Sequence, residues 1–212
     1  MNPLHRVRSW FLMFAGYLVP LVQSLPPLGV WTGLMTLPFA TYLILTFTNP
    51  VNFSRALSDF FVPFLIPEKA LVIIGFLILV YSMAYLKIKK KGGLVTSGPY
   101  RLVRHPQYLG MILSTLGFTS WSVWILNNFW GIGFLSPSQT IGVWFIQLFA
   151  YILLAHIEEL FLSRNYGETF ENYKSQVPLL IPFFKINRKA LDVLVSILVP
   201  AIFLFVLINV QI

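Results

Sequence analysis

The 212-residue chain contains no cysteine. That absence excludes disulfides, thiolate metal sites and a cysteine nucleophile. Charge is nearly as scarce: 10% of residues are charged, where a soluble domain carries about 25%. Acidic residues number seven against fifteen Lys and Arg. No internal repeat or low-complexity stretch is present. What the chain does have is apolar surface, with 57% hydrophobic residues, 17% aromatic residues and a mean hydropathy of +0.77. Such a composition belongs to a multi-pass membrane protein, all-α and folded as one transmembrane bundle. The net charge of +8 does not point to nucleic acid. The basic residues sit beside apolar runs, where they orient the chain and meet anionic lipid headgroups.

A bilayer span takes about 20 apolar residues. Six runs meet that length: roughly 10–28, 30–47, 69–86, 107–126, 139–162 and 190–210. Pro20, Pro26 and Pro27 interrupt the first. Arg6 and Arg8 ahead of it mimic a secretory signal, but no small-residue cleavage pattern follows. Residues 53–67 are apolar yet carry Arg55 and Asp59, which suits a segment lying in the interface. The expected organisation is a membrane hairpin and interfacial segment over 1–68, a catalytic core over 69–189 and a final transmembrane helix over 190–212. Of the fifteen basic residues, six lie in 87–106 and five in 163–189. With six spans both stretches share one side, and the positive-inside rule assigns that side to the cytoplasm. Lys89-Lys90-Lys91-Gly92-Gly93 reads as a solvated anchor followed by a turn.

Two places break the apolar pattern. Residues 98–110 read Gly-Pro-Tyr-Arg-Leu-Val-Arg-His-Pro-Gln-Tyr-Leu-Gly, a polar junction where a helix is about to enter the membrane. Gly98-Pro99 marks a turn, and Pro106 keeps His105 out of the helical region while suiting the first turn of the next helix. The unpaired donors of that helix start favour an anion nearby. Gly110 removes bulk where a ligand or a neighbouring helix approaches. Arg104 has two readings, a snorkelling anchor or a two-pronged clamp on a carboxylate. The second place is Glu158-Glu159 at the end of the 139–162 run. Adjacent carboxylates repel each other and oppose the negative helix end, so a cation must offset them. The basic junction or a cationic ligand meets that need. His156 and Glu159 share a helix face, but one such pair with no second is a weak metal signal, and no metal is expected.

Residues 94–110, together with Glu158-Glu159, Tyr166-Gly167, Phe170, Tyr173, Val177-Pro178 and Ile181-Pro182, resemble the signature of the isoprenylcysteine carboxyl methyltransferase and phospholipid methyltransferase group. The resemblance covers about residues 85–185. It implies an integral membrane enzyme that uses S-adenosylmethionine, with its cofactor pocket on the cytoplasmic side between two loops and helix ends. Carried over residue by residue, it implies cofactor contacts from His105, Pro106, Tyr108, Gly110, Glu158 and Glu159. Arg104 and Glu159 are the expected catalytic residues, Arg104 to hold a carboxylate and Glu159 to take a proton from an amine acceptor. The implied acceptor is lipophilic or amphiphilic, such as a prenylcysteine carboxylate or a lipid headgroup amine, entering from the surrounding lipid. The junction is also related to the His-x-x-Tyr-x-Gly pattern of NADPH-dependent reductases of the sterol-reductase type, the runner-up reading. A non-catalytic membrane protein is the third.

Overall fold

The computed structural model describes residues 27–47, 65–89, 93–128, 135–184 and 189–210. The described residues form six α-helices and no strand: α1 Pro27–Phe47, α2 Ile66–Lys89, α3 Pro106–Asn128, α4 Pro137–Tyr166, α5 Glu168–Gln176 and α6 Lys189–Val210. A short 3-10 turn, Gly98–Arg101, precedes α3. Helix is the form that satisfies backbone groups within one segment, as a bilayer requires. Four of the helices, α2, α3, α4 and α6, are long and apolar enough to cross a membrane. They contain the expected runs 69–86, 107–126, 139–162 and 190–210, and α1 contains 30–47. The expected run 10–28 and interfacial segment 53–67 lie almost wholly outside the described residues. The chain divides into two compact units, residues 1–37 and 38–212. The second holds every contact discussed below.

Within that second unit α3 is the central helix. Its most apolar stretch is 67% buried, against 17% for α2, 39% for α4 and 22% for α6. It packs on α2, α4 and α6, while Phe76 and Leu77 of α2, Ile146 and Leu153 of α4 and Ile202 and Phe205 of α6 point outward, as lipid-facing side chains do. The α2–α3 contact is set by glycine. A Cβ on Gly110 would stand 2.6 Å from the Gly75 carbonyl, and one on Gly75 would stand 2.6 Å from the Gly110 carbonyl. Gly117 faces the Glu68 carbonyl just as closely, at 2.5 Å. Small residues let two backbones touch where no hydrophobic effect operates. Gly110 therefore makes room for a neighbouring helix. Buried hydroxyls line the same helix: Tyr42 reaches Thr119 Oγ1 at 2.8 Å and donates to the Thr115 carbonyl at 3.3 Å.

Proline sets the helix starts. Pro106 and Pro137 each occupy the first helical position, where no donor is lost. Ser136 and Gln139 add a reciprocal capping box at the start of α4. That helix runs 30 residues, longer than the roughly 20 a bilayer needs. Glu158 and Glu159 lie 21 and 22 residues after Pro137, beyond the length that a span requires. The polar sequence after residue 162 was expected as a loop. It continues α4 to Tyr166, breaks at Gly167 with φ of 50°, and resumes as α5.

Candidate functional site

The junction before α3 buries Tyr100, Val103, Arg104 and His105 and leaves Gly98, Arg101 and Leu102 exposed, and its shape follows from its sequence. Gly98 has φ of 62°, and a Cβ there would run into the Tyr85 ring at 2.6 Å. Glycine is required on both counts. The turn closes with Leu102 N–H on the Pro99 carbonyl at 3.2 Å. The chain then runs beside residues 177–179: Arg104 N–H donates to the Pro178 carbonyl at 2.9 Å and His105 N–H to the Leu179 carbonyl at 3.3 Å. Tyr173 of α5 donates its hydroxyl to the Tyr100 carbonyl at 2.6 Å. The His105 carbonyl accepts the Tyr108 and Leu109 N–H groups, both at 3.1 Å, and so closes the start of α3.

Arg104 is only 8% exposed, and its donors meet protein acceptors on every side. Nη1 donates to the Lys174 and Val177 carbonyls, both at 2.9 Å, and Nη2 to Asp192 Oδ2 at 2.9 Å. Nε lies 2.7 Å from Glu159 Oε1, a charge contact too poorly aligned to count as a hydrogen bond. Lys174 Nζ holds the other Glu159 oxygen. Glu159 is thus buried between two cations, which offsets the unfavourable placement of a carboxylate at a helix end.

Glu158 stands differently. Its side chain is 22% exposed, against 3% for Glu159. One oxygen accepts the Tyr108 hydroxyl at 3.1 Å and lies 3.3 Å from His105 Nδ1. His105 Nε2 is 3.7 Å from Glu159 Oε1, so a carboxylate faces each ring nitrogen. Burial alone would lower the His105 pKa, but the two carboxylates outweigh it and the pKa is raised. The rings of His105, Tyr108 and Tyr151 stack in sequence at 5.3 and 5.4 Å between centroids, a column that leads from the carboxylates into the bundle. Beside Glu158 opens a cavity of about 80 Å³, walled by Leu86, Tyr100, Arg104, Tyr166 and Tyr173 among others. Burial pushes the phenols of Tyr100 and Tyr173 up, so both remain neutral.

Of the residues expected from sequence, Arg104, His105, Tyr108, Glu158 and Glu159 come together here. Pro106 starts the helix beneath them, and Gly110 lies one turn further on, against α2. His156 bonds through Nδ1 to the Ile152 carbonyl of its own helix at 2.8 Å. Sequence reasoning passed over Asp192, Lys174 and Tyr100. A signal for Asp192 was present, as an acidic residue inside the final apolar run of a chain with only seven.

The donor set suits a positively charged ligand. An open carboxylate backed by Tyr108 and flanked by tyrosine rings offers both a counter-charge and ring faces to a cation. Among the described residues of the cavity wall the one cation is Arg104, and its donors are turned to Lys174, Val177, Asp192 and Glu159.

The sequence profile of the ergosterol biosynthesis ERG4/ERG24 family matches residues 11–184. Among curated proteins, a methanethiol S-methyltransferase of Crocosphaera subtropica is 38% identical over 87 residues, which is 40% of this chain and 27% of that protein. A protein-S-isoprenylcysteine O-methyltransferase of Schizosaccharomyces pombe is 34% identical over 89 residues, 42% of this chain and 33% of its own length. The nickel-cobalt-cadmium resistance protein NccN of Alcaligenes xylosoxydans xylosoxydans is 29% identical over 115 residues, 53% of this chain and 47% of that protein. The matched stretch thus spans about a third of the length of the methyltransferase relatives. No solved structure matches the chain.

Proposed function

The chain belongs to the ergosterol biosynthesis ERG4/ERG24 family, and within that family we propose that it is a membrane methyltransferase that uses S-adenosylmethionine. The observation that carries this reading is the unequal state of the two glutamates. Glu159 is held between Arg104 and Lys174, while Glu158 keeps a face open to a cavity walled by tyrosines. Similarity to proteins named as methyltransferases supports the same conclusion. When bound, the cofactor supplies a methyl group on a sulfonium, open to in-line displacement.

The roles of the residues follow from their surroundings. Glu158 pairs with the cationic part of the ligand, and Tyr100, Tyr166 and Tyr173 offer ring faces. His105 and Tyr108 orient Glu158. Arg104 and Glu159 fix the geometry from behind, and alignment of this kind supplies about 7–11 kcal/mol of the barrier in well-oriented reactions. A carboxylate or thiolate acceptor needs no general base at the site. An amine acceptor gives up a proton, and Glu158 is the carboxylate with room to take it. A second cavity, of about 350 Å³ and lined by Leu43, Val72, Phe76, Leu79, Met111 and Phe118 among others, lies further along α3. It supports a lipophilic or lipidated acceptor reached from the membrane. We place both basic stretches, 87–106 and 163–189, and with them this site, on the cytoplasmic face.

A second reading is an NADPH-dependent membrane reductase of the sterol-reductase type, favoured by the family profile itself. Its cofactor brings phosphates that Glu158 would repel, so the first reading is preferred. Thermal unfolding of the detergent-solubilised protein separates the two. A ligand at a hundred times its Kd stabilises the native state by about 2.7 kcal/mol. S-adenosylmethionine is expected to raise the midpoint, and protection by NADPH instead would overturn the assignment.

A further inference from the structure

Asp192 is the acidic residue in the first turn of α6, and it lies outside the span matched by the family profile, which ends at residue 184. It is 7% exposed and accepts from two directions. Oδ2 receives Arg104 Nη2 at 2.9 Å and Oδ1 receives the Leu179 N–H at 3.3 Å. The Ser196 hydroxyl donates to the Asp192 carbonyl at 2.8 Å, which anchors the residue to its own helix. Only a carboxylate meets both demands. An asparagine has one acceptor end, so its amide would face either the guanidinium or the Leu179 N–H, donor against donor.

The partners of Asp192 are the groups that shape the site. Leu179 offers its carbonyl to His105 N–H, and Arg104 reaches Glu159 through Nε. Three acidic groups (Glu158, Glu159, Asp192) and two basic ones (Arg104, Lys174) share this cluster, with His105 between the two glutamates. Among the described residues, the phenols of Tyr100, Tyr108, Tyr166 and Tyr173 also lie around it. Without Asp192, the Arg104 guanidinium keeps Nη1 on the Lys174 and Val177 carbonyls but loses the partner of Nη2, so its fork can tilt toward Glu159.

We propose that Asp192 is a positioning residue: it holds Arg104 and the 177–179 segment so that Glu159 and His105 stand at a fixed distance behind Glu158, the carboxylate that faces the cavity. This rests on the reading of the Glu158 cavity as the functional site. It assigns the final helix a part in the chemistry beyond anchoring the chain.

The test is a double-mutant cycle read at His105, by nitrogen-15 NMR of the histidine-labelled protein in nanodiscs. The three histidines are assigned with His105→Gln and His156→Gln. Asp192→Asn is expected to lower the His105 midpoint by about 0.5 unit or more, because removing an anion and freeing Arg104 toward Glu159 both weaken the negative field at the imidazole. Arg104→Lys keeps the charge but loses the fork. In that background the shift caused by Asp192→Asn is expected to shrink by at least half, since coupled residues do not add. An equal shift in both backgrounds, or none in either, would overturn the proposal and leave Asp192 as a helix anchor. If Asp192→Asn does not fold, Asp192→Glu keeps the charge on a longer arm. Its effect on His105 must shrink in the Arg104→Lys background in the same way, and an equal effect overturns the proposal. The readout needs no cofactor, so failure of the methyltransferase assignment leaves it intact. Calorimetry with S-adenosylmethionine on the unaltered protein reports on that assignment separately.

Discussion

Glu158 and Glu159 are neighbours in sequence with opposite circumstances, and their substitutions are expected to differ. Glu158→Gln removes the open counter-charge, and losing one charge-assisted hydrogen bond costs about 1.5–3 kcal/mol, roughly tenfold or more in cofactor affinity. Glu159→Gln leaves Arg104 and Lys174 facing a neutral amide. Breaking a buried ion pair costs about 3–5 kcal/mol, so this variant should lose mainly thermal stability. Calorimetry with S-adenosylmethionine and thermal unfolding, run on both proteins, check the split. Unchanged affinity in Glu158→Gln would return the residue to a solvated helix end. The sequence pointed to this pair because two carboxylates at a helix end demand a cation. It did not tell which of the two is spent, since that depends on Lys174 and Arg104 arriving from other elements. Arg104 was legible as special but not as shared. Its partner Asp192 lies 88 positions away, and no local pattern announces a pairing at that distance.

At the scale of elements, the spans were readable because apolar length and prolines at helix starts are local signals. Pro106 marks one start to the residue, while α4 begins at Pro137, two residues ahead of the expected run. The end of α4 and the whole of α5 were not readable. Residues 163–176 are polar, and their helical form depends on capture: Phe170 is buried and Tyr173 is tied to the Tyr100 carbonyl. Gly110 illustrates the same limit, since only the α2 backbone beside it decides between ligand and helix. The orientation of these elements rests on eleven of fifteen basic residues lying in the two stretches 87–106 and 163–189. In a chain without cysteine, a single one placed at Ser97 is a clean reporter. Ser97→Cys should react with an impermeant thiol reagent from the cytoplasmic side, and labelling only from outside would reverse the proposed orientation.

For the whole molecule, the fold places one buried helix, α3, between a polar site at its start and an apolar cavity along its length. The 80 Å³ beside Glu158 is smaller than the roughly 300–1,000 Å³ of sites for drug-sized ligands, so binding the whole cofactor requires the surrounding loops to move apart. Such an arrangement suits a reaction between a polar donor from the water side and an acceptor from the membrane. The most direct test of that claim is methyl transfer itself. The protein, reconstituted in vesicles with a lipid extract and methyl-labelled S-adenosylmethionine, is followed by mass spectrometry of the lipids and small thiols. The account predicts a labelled product that forms with the parent protein and falls at least about tenfold with Glu158→Gln at limiting cofactor. No labelled product from the parent protein at saturating cofactor, with NADPH consumed in its place, would contradict it.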